Sequence, residues 1–376
     1  LGDGMKWTKQ ALYGTIILVF LSIIGLGGCG KTVENHEEKK EETAISYKKI
    51  PIELDSIKKV MGWLSNEEVL VHCGHDFKDV LYKFNVVTGE LKILYKPNAL
   101  ILTSAISPDS KKIFIQLAEE QKSKLQVIDL EGKILKENTV DTQGYLNVSW
   151  NGSNNAELFL AYYETENVLK VLDWKVSENT LKDVPNDSLT PVWYSDNLYV
   201  YVDNLGEFLL TKGELYLGDV RTGKKTYLRN QVSGFYLNND ALITFSPSDF
   251  NEYELLLSYQ YPFMVDKGFL EVPKMSMNDR LLFPYLSQAQ RKAPIYGVLP
   301  KKAVHLELEM GEYQLAELDF EERKIIPILD LPDNAPIQVS PNGKRVLYGW
   351  RFENVADLKT KKIYPLLNIP EKTPKS

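Results

Sequence analysis

Cysteine and histidine are scarce: two cysteines and four histidines occur in 376 residues. That excludes a disulfide-stapled scaffold and any multi-cysteine zinc module. Basic charge is also in short supply. Lys and Arg number 44 against 51 Asp and Glu, a net charge of −7. No nucleic-acid partner is expected, because phosphate contacts need a basic face. Nucleophile elbows, phosphate loops and H-E-x-x-H are missing, and the Gly-Lys pairs at 30/31, 132/133, 223/224 and 343/344 lack a P-loop context. No cofactor follows from these residues. What is present is a 44% hydrophobic chain, long enough for a sizeable core, with 21 tyrosines against six methionines, a balance that leans toward strands.

The N-terminus reads as an address. Met5-Lys6-Trp7-Thr8-Lys9 is short and basic, Leu12 to Leu26 is almost unbroken apolar sequence, and Leu26-Gly27-Gly28-Cys29 closes it. Leu1 to Gly4 look like sequence upstream of a misplaced start. The cluster resembles a bacterial lipoprotein signal, with Leu26, Gly27 and Gly28 as its lipobox. The resemblance implies cleavage before Cys29 and a diacylglycerol on its thiol, which would hold the chain to the membrane. An uncleaved transmembrane anchor is the competing reading, although the run is slightly short and carries Gly14, Gly25, Gly27 and Gly28. In both cases Lys6 and Lys9 keep the N-terminus inside and the rest of the chain extracytoplasmic. Residues 1–28 are then the signal, and 29–49 a lipidated cysteine with a charged, solvated tether that includes His36. Residues 50–370 form the folded domain, followed by a short tail at 371–376.

From residue 60 the apolar pattern alternates with period two, in runs broken by turns. Tight turns recur at one phase: Leu64-Ser65-Asn66-Glu67, Ser107-Pro108-Asp109-Ser110, Asn151-Gly152-Ser153-Asn154, Ser195-Asp196-Asn197 and Ser340-Pro341-Asn342-Gly343. Each follows a bulky residue, and those at 63, 106, 150 and 193 are spaced 43, 44 and 43 apart. A second turn comes later in each unit, as at Thr88-Gly89, Glu131-Gly132, Glu178-Asn179, Thr222-Gly223 and Lys359-Thr360. Two hairpin turns per unit of this length make four antiparallel strands, the arithmetic of a propeller blade. The expected fold is therefore an all-β propeller of four-stranded antiparallel blades; an open sandwich has no reason to repeat at one period. Residues 232–329 match the repeat only partially. Reading Asp266-Lys267-Gly268 as a late turn leaves too few residues before Asn278 for two further strands. One blade with an insertion over about 251–306 then gives six blades, with seven as the alternative.

Signal, Cys29, charged tether and a propeller from about residue 50 to 370 together resemble the YqgU-like six-bladed propeller lipoproteins of Bacillus-type bacteria. The resemblance covers nearly the whole mature chain and implies location and fold. Beyond the lipobox it carries no functional motif.

Strand direction puts the first and third hairpin turns of every blade on one face and the second connections on the other. The second connections collect acids: His75 and Asp76, Glu119 and Glu120, Glu164 and Glu166, Asp203 and Glu207, and Glu353 beside Arg351. Acids facing a funnel suit a divalent cation or a cationic partner; the plain alternative is an acidic chain with charged loops. His72-Cys73-Gly74-His75-Asp76 is the densest set of metal-ligand residue types, but neighbours on a strand point to opposite faces, so no metal site is assigned. Cys73 is expected to be a buried small hydrophobe without a disulfide partner. His305 alternates like an ordinary strand residue. Trp63, Trp150 and Trp193 share one phase, which suits packing between blades better than a sugar platform.

The reading that follows is a membrane-anchored extracytoplasmic propeller that binds an envelope protein or ligand without catalysis. Its competitors are a carbohydrate- or peptide-processing enzyme with funnel carboxylates, whose pairing leaves no local spacing to read, and a metal- or ligand-sensing accessory subunit. The lipobox has a direct check. Blocking lipoprotein signal cleavage in the native host should leave an uncut precursor on an immunoblot, and normal maturation under that block would refute the assignment.

Overall fold

The structure, a computed structural model, describes residues 46–75, 78–166, 168–186, 188–203, 212–278 and 280–369. The lipobox and Cys29 lie outside the described residues. Seven four-stranded antiparallel sheets follow one another along the chain, at residues 57–95, 101–140, 147–183, 192–232, 234–273, 286–331 and 337–365; they are numbered here as blades 1 to 7. In blades 1 to 5 and 7 the four strands are consecutive in sequence, so hairpins alone build them. The propeller is thus borne out, with the larger of the two blade counts.

Period-two alternation is what joins the blades. In the second strand of blade 1, Val69, Val71 and Cys73 pack toward blade 7 while Leu70 packs toward blade 2. Leu158, Leu160 and Tyr162 of blade 3 face blade 2, and Phe159 and Ala161 between them face blade 4. In blade 7 Val346 joins the cluster with blade 6, and its neighbour Leu347 joins the one with blade 1. Every blade is a two-faced wedge, and the seven apolar clusters are the seven seams of a closed ring. The tryptophans sit in these seams. Trp63 Nε1–H donates to the Gln338 carbonyl at 2.9 Å, Trp150 Nε1–H donates to the Ala105 carbonyl at 3.0 Å, and Trp193 stacks on Phe159 with ring centroids 3.9 Å apart.

The turns follow their residue chemistry. In Ser107-Pro108-Asp109-Ser110 the Ser107 Oγ accepts from Lys112 N–H at 2.9 Å and donates to Asp109 Oδ1 at 2.6 Å. Ser340 repeats this with Arg345 N–H and Asn342 Oδ1, at 3.0 and 2.9 Å. Gly132 has φ +80°, and a Cβ there would come within 2.0 Å of the Leu94 carbonyl oxygen, so only glycine fits.

Residues 232–329 hold two blades, and the reason lies in one turn. Asp266-Lys267-Gly268 is not a turn but the start of the last strand of blade 5, Asp266–Pro273; the turn lies earlier, at Tyr261–Val265, where Tyr261 N–H bonds the Val265 carbonyl. Only one strand must then follow, and the shortage of residues disappears. Two pieces of added chain stretch the repeat. Met275–Met277 and Arg280–Leu282 lie between blades 5 and 6, and Val304–His305 lies inside blade 6; together they form a separate three-stranded sheet. His305 pairs there in parallel with Ser276, and its Nδ1 is 2.5 Å from Ser276 Oγ.

The ring is sealed at the seam of blades 7 and 1, and this moves the expected start of the folded domain from residue 50 to about residue 46. Tyr47 is buried. Its hydroxyl donates to Asp357 Oδ2 at 2.5 Å and accepts from Arg345 Nε–H at 2.9 Å. Lys48 N–H bonds the Val86 carbonyl, and Ile50 N–H bonds the Leu366 carbonyl, both at 2.8 Å. Arg345 also reaches the Asn66 carbonyl at 2.8 Å, and Val60 N–H bonds the Arg351 carbonyl at 3.0 Å. Residues 47–49 fall in the stretch read as tether, yet Tyr47 joins Ile50 in the apolar surface that the seam needs. Tyr47→Phe removes one hydroxyl from a buried network and leaves Asp357 and Arg345 short of a partner. The expected cost is about 1–3 kcal/mol, to be read from urea unfolding; an unchanged midpoint would show that the seam does not depend on this clasp.

Candidate functional site

The acidic residues sit on the second connections of blades 1, 2, 3, 4 and 7, at the disc face opposite the Ser-Pro-Asp turns. Asp76 and Glu207 lie outside the described residues. His75 ends the second strand of blade 1 and Asp203 ends that of blade 4. Glu119 is 3.7 Å from Lys122 Nζ, and Glu164 is 2.8 Å from Lys170 Nζ. The Glu120 carbonyl accepts from the Gln143 side chain, and a Glu353 carboxylate oxygen accepts from Arg351 N–H at 2.8 Å. Glu166 is exposed at its turn. The Glu119, Glu164 and Glu353 carboxylates are thus tied to their own blades. Among the described residues no group of three or more His, Cys, Asp or Glu side chains comes together to hold a metal ion.

Within this face lies a cleft of about 480 Å³ between blades 2 and 3. Its lining comes from the first strands of the two blades, at Thr103, Ser104 and Asn147, and from Tyr145, Tyr162 and Tyr163. Tyr145 is 75% exposed and Tyr163 48%, while Tyr162, one residue on, points into the seam. Ser104 is 9% exposed, and its Oγ has no hydrogen-bond partner. Burial raises the Tyr162 hydroxyl above its ordinary pKa; Lys170 opposes this, and Glu164, Asp141 and Asp183 add to it. Neither Ser104 nor these tyrosines stood out in the sequence. The available signal was the pair Tyr162-Tyr163, where alternation turns an aromatic ring outward near the end of a strand.

A larger cavity of about 650 Å³ opens on the opposite face, bounded by the first turns of blades 1, 2, 5, 6 and 7. Its polar side chains already serve as staples between blades. Asn238 Nδ2 donates to the Gln288 carbonyl at 3.2 Å, Gln290 Nε2 donates to the Pro341 carbonyl at 3.0 Å, and Ser287 Oγ accepts from Val339 N–H at 3.0 Å. Gln338 Oε1 accepts from Trp63 N–H at 3.1 Å. This mouth is built for ring integrity.

Residues 85–349 match the family described as the YqgU-like 6-bladed beta propeller domain. The chain belongs to this family. The matched span holds blades 2 to 6 whole and parts of blades 1 and 7, so its ends cut through the two blades that meet at the closing seam. The lipoprotein YqgU of Bacillus subtilis (strain 168) is 23% identical over 357 residues, covering 92% of this chain and 94% of its own. The crystal structure of the protein lmo1340 from Listeria monocytogenes EGD-e superposes with a TM-score of 0.79 at 24% identity, over 87% of this chain and 99% of that one. An oligogalacturonate lyase from Vibrio parahaemolyticus shares the fold more distantly, with a TM-score of 0.55 at 13% identity, over 78% and 88% of the two chains. The family assignment covers both blades that form the tyrosine cleft. Among the described residues no helix is long and apolar enough to cross a membrane.

The remaining buried ionisable groups of this propeller are structural. Asp79 takes Lys58 Nζ at 2.7 Å and Ile101 N–H at 2.7 Å, and so ties blade 1 to blade 2. Burial pushes its carboxyl up, but Lys58, the Ile101 N–H and His72 together hold it below the ordinary value. His72 Nε2 lies 3.2 Å from Asp79 Oδ2 without hydrogen-bond geometry, and burial lowers the pKa of the imidazole. Cys73 faces the other way, into the seam with blade 7, and burial raises its thiol to about 11, as expected of a small hydrophobe.

Asp173 is different. It is 1% exposed, its Oδ1 has no partner, and burial, with the nearby Glu157 carboxylate, pushes it from 3.8 up to about 6. A raised carboxyl binds its proton more tightly in the folded state. It therefore costs nothing below the unfolded value of 3.8, and costs stability increasingly as pH rises through 6. Asp173→Asn should raise stability at pH 7.5 by up to about 3 kcal/mol, with the gain fading toward pH 4. Denaturant midpoints at the two pH values check this, and a pH-independent difference would contradict it.

Proposed function

We propose that the chain is a lipid-tethered extracytoplasmic binding module that presents its acidic face to an envelope protein or ligand and does no catalysis itself. The lipobox and the lipoprotein relative support the tether. The observation that carries the reading is where the chain enters the ring. Tyr47 bonds Asp357 and Arg345, which flank the turns of blade 7, and Lys48 bonds Val86 at a turn of blade 1. Residue 46 is thus on the turn face, and the chain then runs along the seam toward the opposite face to begin blade 1. The acidic second connections lie on the face opposite this entry point. Acids on a rigid, outward surface steer a cationic or amphipathic partner, and the tying of Glu119, Glu164 and Glu353 to their own blades keeps that surface in shape.

Photo-crosslinking in intact cells tests this. Crosslinker at Glu120 or Glu166 should capture a partner, crosslinker at Lys224 on the turn face should not, and Cys29→Ala should abolish capture by releasing the protein. Capture from the turn face alone would overturn the orientation. Turnover of a wall polymer by the purified protein would overturn the non-catalytic reading and favour the funnel-carboxylate enzyme.

A further inference from the structure

We propose that the cleft between blades 2 and 3 is a binding site for a neutral saccharide. This rests on the reading above that the second-connection face is the binding face, and it names the ligand chemistry for one part of that face. Three observations converge. The first is composition: although the chain is acidic and the surrounding turns carry Glu120, Glu164 and Glu166, none of the side chains lining the cleft is charged. A site for a metal ion or an ammonium group would bring carboxylates to its wall. This one brings hydroxyls, an amide and aromatic rings.

The second is Ser104. Its hydroxyl lies in the middle of the first strand of blade 2, more than nine-tenths buried, on the cleft wall, and it has no partner. A buried hydroxyl normally finds a partner, and leaving it unpaired is costly. The strand neighbour Thr103, half-buried, and Asn147, exposed, add a hydroxyl and an amide nearer the surface of the cleft. The third is the pair of exposed rings. Tyr145 and Tyr163 flank the opening, each with an apolar face and a polar rim. A sugar ring has the matching form: an apolar C–H face to lie on an aromatic ring and a girdle of hydroxyls for Ser104, Thr103 and Asn147. The volume, about 480 Å³, lies in the usual range for small-ligand sites. An extended neutral peptide would also meet hydroxyls and rings, but the short cleft with one deep orphan hydroxyl favours a compact polyol.

The test is saturation-transfer NMR on the mature full-length chain, with N,N′-diacetylchitobiose and maltotriose as neutral saccharides and N-acetyl-lysine methylamide as a cationic peptide surrogate. At least one saccharide should receive saturation and the lysine surrogate none. Ser104→Ala should weaken saccharide binding about fivefold or more while melting no lower than the parent, because it deletes a hydroxyl that has no partner in the unliganded fold. Tyr145→Ala should weaken it about tenfold, and Tyr253→Ala, at an exposed tyrosine of blade 5, should leave it unchanged. The proposal is overturned if neither saccharide binds, if binding survives both cleft substitutions, or if only the lysine surrogate binds. Saccharide binding that fails while crosslinks from Glu166 persist would sink the cleft assignment and leave the face assignment standing.

Discussion

A ring of wedges stands or falls with the last seam. Each blade buries apolar residues on both sides, so a chain that ended in an open arc would leave two such faces in water. Among the described residues every four-stranded blade is formed within its own stretch of chain, and no strand from one end completes the sheet of the other. Closure therefore has to come from side chains and from residues outside the blades. Tyr47, Ile50, Leu366 and Leu367 fill the seam, and the Tyr47–Arg345–Asp357 network locks it.

Polar contacts repeat around the ring with changing chemistry. Asp79 reaches from blade 1 to Ile101 N–H of blade 2, and Gln116 reaches from blade 2 to Leu146 N–H of blade 3. Between blades 5, 6 and 7 the staples are Asn238, Ser287 and Gln290. Amide, hydroxyl and carboxylate each satisfy a buried backbone donor or acceptor that the wedge geometry leaves at the blade ends. Ser104 Oγ is among the buried polar atoms that this network leaves without a partner, as are Asp173 Oδ1 and Trp193 Nε1. The turn-side mouth uses its amides to hold blades together.

The fold was legible from residue 60 to about 230 because period-two alternation and turn residues are local properties. Ser107 and Ser340 do in space what their sequence neighbours suggest, and Gly132 occupies a turn that no other residue fits. Legibility failed where two turn signals stood side by side. The hairpin at 261–265 has Pro262 but is otherwise apolar and aromatic, and it hid behind the more turn-like Asp266-Lys267-Gly268, which is strand. The added three-stranded sheet widened the spacing further, so the rhythm of the first four blades could not be followed through the fifth and sixth. The tether boundary shifts for a related reason: Tyr47 is one apolar residue beside lysines, and its burial depends on partners some 300 positions away.

By itself the sequence determined the all-β class, the four-strand unit, the turn chemistry and the side of the blade on which acids collect, because strand direction and alternation follow from the order of residues alone. It also carries the basic segment and apolar run that end at Cys29. Only the tertiary structure decided the blade count, the clasp at the closing seam, the local pairing of Glu119 and Glu164, and the cleft in which Ser104, Tyr145 and Tyr163 meet. The clasp and the cleft join residues of different blades, and the distance between blades is set by how wedges pack, which no stretch of neighbouring residues encodes.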